Sequence, residues 1–158
     1  MRLWRTFCVN YEARTKSDPP EKKAKRKLKN YKLKHSRLLT CYSALAYLLA
    51  VYGKNRTVAP EDVLAMVHLS PTERLESIGS QNQSIHNIVN DLLVQYEEFL
   101  AQTDQAEEAL ITIFLDSSQS RDLVHSAYEF GDKMFELLDT TGTDSHGKKS
   151  RLYRLLVV

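Results

Sequence analysis

No glycine and no proline stand anywhere between Gly79 and Gly131. A stretch that long without a turn former restricts the chain to helices joined by short polar breaks. The whole chain has 158 residues, with only 5 Gly and 4 Pro. Average composition would supply about twice as many. Hydrophobic residues make up 42% and charged residues 27%, which suits one soluble helical core and excludes collagen, wholesale disorder and a multi-span membrane protein. The expected fold is all-α: a single-domain bundle of five to six helices.

Charge divides the chain. Residues 1–40 carry 13 Lys/Arg against 3 Asp/Glu, and residues 41–158 carry 9 against 17. From Lys22 to Arg37, nine of sixteen residues are basic. Such a run repels itself, and Asp18-Pro19-Pro20 breaks any helix ahead of it. The expectation is therefore a basic, poorly ordered arm over 1–35 and a helical domain over 36–158.

Within the domain, Ser36 to Tyr52 forms a helix that is apolar nearly all round and stops at Gly53. A second helix starts at Pro60, with Glu61 and Asp62 in its first turn. Ser70-Pro71-Thr72-Glu73 spells a capping box with proline at the first helical position, and that third helix ends near Gly79. Ile85, Ile88, Val89, Leu92, Leu93, Tyr96, Phe99 and Leu100 keep the spacing of one helical face. Another helix begins at Thr103 or Asp104, capped by Asp104 and Glu107, and buries Ala109, Leu110, Ile113 and Phe114. Its run LITIFL has strand propensity, but no second strand exists to pair with it. After the polar break 117–120 comes a long helix through Leu123, Ala127, Phe130, Met134, Phe135 and Leu138, in which Gly131 allows a close helix contact. Ser150 caps a short last helix.

The uncharged run 38–52 also raises the question of a membrane tether, because a dense basic run precedes it. Fifteen helical residues reach only about 22 Å, short of the roughly 30 Å of a bilayer core. A buried core helix is the preferred reading, with a membrane anchor or secretory leader as the competitor. The chain has 2 Cys, too few for a disulfide framework, which points to a reducing cytoplasmic setting; the alternative is membrane association. Cys41 should pack as a small hydrophobe.

Several constellations fall short of a chemical site. Residues 142–150 approach a phosphate-binding loop, but Lys149 stands where its hydroxyl residue belongs, and no strand precedes it. Asp122, His125, Glu129, Asp132 and Glu136 share one side of a helix, as amphipathic helices ordinarily do. Three residues separate Arg121 from His125. The motif of the small helical HEPN ribonucleases needs four to six, and one residue turns the histidine by about 100°. Residues 60–78 suggest a helix-turn-helix, yet the would-be recognition helix carries Glu73 and Glu76 against Arg74 alone, a poor face for phosphates. No cofactor, metal or small-molecule substrate is implied, and a non-enzymatic protein is expected.

The basic run remains the main functional signal. Lys22, Lys23, Lys25, Arg26, Lys27, Lys29, Lys32, Lys34 and Arg37 can displace counterions from a nucleic acid, while Trp4, Phe7, Tyr11 and Tyr31 can stack on bases. Lys148, Lys149, Arg151 and Arg154 extend the footprint if they fold nearby. The leading expectation is a nucleic-acid-associated or regulatory protein. Its competitors are a protein–protein module, such as a homodimer joined through the apolar first helix, and a membrane-tethered domain.

Overall fold

The computed structural model describes residues 18–144 and 146–157. Trp4, Phe7, Cys8 and Tyr11 lie outside the described residues. Seven helices are found among them: α1 Pro20–Asn55, α2 Pro60–His68, α3 Pro71–Gln81, α4 Gln83–Thr103, α5 Glu107–Leu115, α6 Ser117–Thr141 and α7 Arg151–Val157. The only β feature among the described residues is an isolated bridge, Thr143 to Lys149. The fold is an all-α bundle, and its seven helices are one more than the expected five to six.

Helix α1 organises the rest. Its 36 residues extend about 54 Å at 1.5 Å per residue. Ala24, Leu28, Tyr31, His35, Leu39, Ser43, Ala46 and Leu49 are buried along it, at spacings of three and four that draw one continuous stripe. That stripe runs through residue 35, so the expected boundary between arm and domain at 35/36 falls inside a packed helix. Charge density had argued for an open chain. The lysines instead keep their ammonium groups outward, and the apolar positions between them pack on α5 and α6.

The core has two parts. The larger joins Leu39, Ala46 and Leu49 of α1 to Leu75 and Ile78 of α3, Ile85, Ile88, Val89 and Leu92 of α4, and Phe130, Met134, Leu137 and Leu138 of α6. The smaller joins Ala24, Leu28 and Tyr31 to Phe99, Leu110, Phe114 and Ala127. Tyr96 packs against both. His35 also sits at the junction, with its ring stacked on Phe99 at 4.3 Å and tilted against Phe130 at 5.0 Å.

Local signals resolve in different ways. Ser70 Oγ accepts from the Glu73 amide at 3.3 Å, and Glu73 Oε2 accepts from the Ser70 amide at 2.7 Å, the reciprocal box read from the sequence. Ser150 Oγ accepts from the Tyr153 amide at 3.1 Å and opens α7. LITIFL is helical, within α5. Asp104 does not cap α5; Ala106 stands at that position without a side-chain bond. The cap that matters is Asp116, whose Oδ1 accepts from Ser118 and Gln119 at 2.7 and 3.1 Å, so α6 starts inside the expected polar break. Gly79 lies within α3 rather than ending it, and a Cβ there would stand 2.9 Å from Val89 Cγ1. Gly53 lies within α1, which ends at Asn55 with Arg56 as its left-handed cap, φ 60°. Cys41 is exposed, and Leu100 and Phe135 face outward where burial was expected. Leu137 takes the inward position instead of Phe135. No helix among the described residues is long and apolar enough to cross a membrane.

Candidate functional site

The buried stripe of α1 fixes where its cations go. A residue at about 180° from the stripe faces water, and those at 100° per step fall on predictable flanks. Lys22, Arg26, Lys29 and Arg37 lie on the side opposite Ala24, Leu28 and Tyr31, while Lys25 and Lys32 flank the stripe on one side and Lys23, Lys27 and Lys34 on the other. Lys22, Lys23, Lys25, Lys27, Lys29 and Arg37 are exposed; Arg26, Lys32 and Lys34 are half-buried. The expected arm is thus a rigid basic ridge about 22 Å long from Lys22 to Arg37.

Not every cation on the ridge is equally available. Lys22 and Arg26 both pair with Asp18, the first at 3.1 Å, and this pairing holds the Asp18 carboxyl below its ordinary range. Lys34 Nζ sits 3.6 Å from the ring centroid of Tyr128, a cation–π contact across to α6. Tyr31 is no stacking platform for bases. It is buried, its hydroxyl donates to Gln102 Oε1 at 2.7 Å, and burial raises its pKa.

The second basic cluster does not join this ridge. Lys148, Lys149, Arg151 and Arg154 gather around Arg56 and Tyr52, at the C-terminal end of α1. Lys29 and Arg56 are about 40 Å apart along the helix. Lys149 is held inward: its Nζ pairs with Asp139 and donates to Thr143 Oγ1 at 2.7 Å. The Asp139 carboxyl is held below the usual range chiefly by that hydrogen bond from Lys149.

The loop between α6 and α7 is a small hairpin rather than a phosphate cradle. Asp144 Oδ1 accepts from the amides of His146 and Lys148 at 3.0 and 2.8 Å. Gly147 supplies the left-handed residue, φ 73°. Beside the hairpin, a cleft of about 800 Å³ opens between α1, α3, α4 and the end of α6. Hydroxyl and amide groups of Gln81, Asn82, Ser84, Thr140 and Thr143 line it, above a floor that includes Leu49 and Ile78.

In comparisons with family models, curated proteins and solved structures, the chain matches none. The site must therefore be judged on its own chemistry.

The remaining constellations gain little. His125 is exposed and lies 3.4 Å from Glu129 across one turn. Lys133 bridges Asp91 and Glu136 at 3.5 and 3.0 Å, as a solvated helix face would. No group of three His, Cys, Asp or Glu among the described residues is placed to hold a metal. In the helix-turn-helix reading, Arg74 is the single cation of the recognition helix. Its Nε donates inward to the Met66 carbonyl at 2.9 Å, and α3 buries Leu75 and Ile78 against α1 and α4.

Proposed function

We propose that this is a non-enzymatic, nucleic-acid-associated protein that holds its polyanion along the outer face of α1. The observation that carries the reading is the set of six exposed cations, Lys22, Lys23, Lys25, Lys27, Lys29 and Arg37, spread over the outer side and both flanks of one helix whose remaining face is buried. Folding has already ordered this helix, so binding need not supply that entropy. The charge is concentrated here, while residues 41–158 are acidic on balance.

The packing also dictates the test. Removing residues 1–35 would strip Ala24, Leu28, Tyr31 and His35 from the core, so a truncated chain would report folding instead of binding. Substituting Lys23, Lys25, Lys27 and Lys29 by glutamine leaves the stripe intact. Duplex binding should weaken with salt in proportion to the phosphates neutralised, and four lost contacts should flatten the log–log slope by up to about 3.6. Fluorescence anisotropy with RNA and DNA fragments reads this directly. Equal slopes for both proteins, or no binding at low salt, would sink the proposal.

A second reading rests on α2. Leu64 and Val67 are 60% and 61% exposed, and only Met66 of that helix is buried. An exposed apolar face suits a protein–protein module. The apolar side of α1, expected to form such an interface, is instead covered within the chain. Sedimentation of wild type beside Leu64→Glu, Val67→Glu distinguishes a self-associating protein from a monomer.

A further inference from the structure

The end of the bundle far from the ridge draws cations together from three elements. Arg56 caps α1, Lys148 stands on the hairpin, and Arg151 and Arg154 lie on α7. With Tyr52 and Asp144 they line a shallow cleft of about 330 Å³. Among the described residues, no carboxylate lies within ion-pair distance of any of the four. Lys149, on the same cleft, is neutralised by Asp139. Asp144 faces the cleft too, but its carboxylate is held by backbone amides, with Arg56 adding to the drop in its pKa. Four cations therefore converge against one carboxylate, an arrangement that a multiply charged anion relieves.

The backbone that carries these exposed cations is held in place. The Lys148 backbone is fixed by Asp144, whose amide donates to the Lys148 carbonyl at 2.8 Å and whose Oδ1 accepts from the Lys148 amide at 2.8 Å. Buried Tyr153 anchors α7 through its hydroxyl, 3.2 Å from Asp139 Oδ1. Arg56 adopts φ 60°, a conformation easy for glycine or asparagine and unfavourable for arginine. The cleft then runs into the larger polar cleft through Arg56, Asp144 and Ser150, which line both.

We infer that this end of the bundle binds a small phosphate-bearing molecule, with its phosphate among Arg56, Lys148, Arg151 and Arg154 and its uncharged polar part in the adjoining cleft. Guanidinium forks match phosphate oxygens in pairs, and three of the four cations are arginines. The inference does not depend on nucleic-acid binding at the ridge.

Titration calorimetry on the full chain tests it, first with inorganic pyrophosphate and then with a nucleoside diphosphate. Arg56→Asn keeps the left-handed backbone, and paired with Arg154→Gln it should weaken pyrophosphate binding by about ten-fold or more. The ridge variant with four glutamines should bind pyrophosphate as wild type does. The nucleoside diphosphate should bind more tightly than pyrophosphate. Circular dichroism confirms that the variants fold, and Lys148→Gln, exposed on the hairpin, serves if the double variant does not. No binding up to about 5 mM pyrophosphate would overturn the inference. Equal weakening by the ridge variant would also overturn it, since that marks a general polyanion effect. A nucleoside diphosphate no tighter than pyrophosphate would overturn the role of the larger cleft.

Discussion

His35 should make the stability of this protein fall as the solution is acidified through the upper range of histidine titration. Its side chain is 2% exposed. Phe99 stacks on it at 4.3 Å, Tyr31 meets it edge-on at 4.7 Å, and Phe130 lies at 5.0 Å. Its Nδ1 is 3.2 Å from the Tyr31 carbonyl. Burial dominates, and it pushes the His35 pKa below the ordinary value near 6.5, with Lys34 acting in the same direction. The unfolded chain thus takes up a proton that the folded chain refuses. Stability from the neutral ring is complete above about pH 6.5 and falls below it, by up to about 1.4 kcal/mol per pH unit, until the folded form also titrates. The first unit below pH 6.5 costs about 1 kcal/mol, roughly 2–4 °C in Tm for a chain of this size. His68, His125 and His146 are exposed and His86 is half-buried beside Asn90, so His35 is the one fully buried histidine among the described residues. The carboxylates with lowered pKa, such as Asp116 and Asp139, act well below this window. Urea unfolding at pH 7.5, 6.5 and 5.5 is the assay, with His35→Phe as the comparison because it keeps the ring stack. Wild type should lose stability across the series while His35→Phe stays nearly level. Parallel slopes for the two proteins would refute the reasoning.

Three further outcomes follow from single positions. A Cβ on Gly142 would fall 2.1 Å from Tyr153 Cδ2 and 2.9 Å from the Leu138 carbonyl oxygen; Gly142→Ala should cost about 1–3 kcal/mol through overpacking, read by thermal melts, and release α7 to limited proteolysis. At Gly131 the nearest atom to a new Cβ is Leu38 Cδ1 at 4.0 Å, so alanine fits and should raise stability by up to about 1 kcal/mol in urea titration. Asp116→Ala removes the two amide bonds that start α6 and should lower the unfolding free energy by about 1 kcal/mol.

Periodicity and caps made much of the fold legible. The Ser70–Glu73 box, the stripe of α4 and the apolar half of α1 follow from spacing alone. The basic half of α1 was misread because its charges are close neighbours in sequence. Its burial depends on Phe99, Leu110 and Phe114, which arrive from far along the chain. Asp116 was legible in principle, as an aspartate just ahead of Ser117. The inward turn of Arg74 and the clustering of Lys148, Arg151 and Arg154 about Arg56 were not. They depend on how helices cross, which no local pattern records.

The division of the core at His35 and Tyr96 has a consequence for motion. The seven buried residues of the smaller part are expected to open as a unit while the larger part stays closed, as cooperative sub-global units do. Amide hydrogen exchange along α1 should then be graded, faster from Ala24 to Tyr31 than from Leu39 to Leu49. If the ridge holds a polyanion as proposed, and only in the closed form, that ligand should slow exchange of the N-terminal half by mass action. Occupancy of the outer surface would then be readable as protection inside the small core, a signal carried along one helix from water to interior.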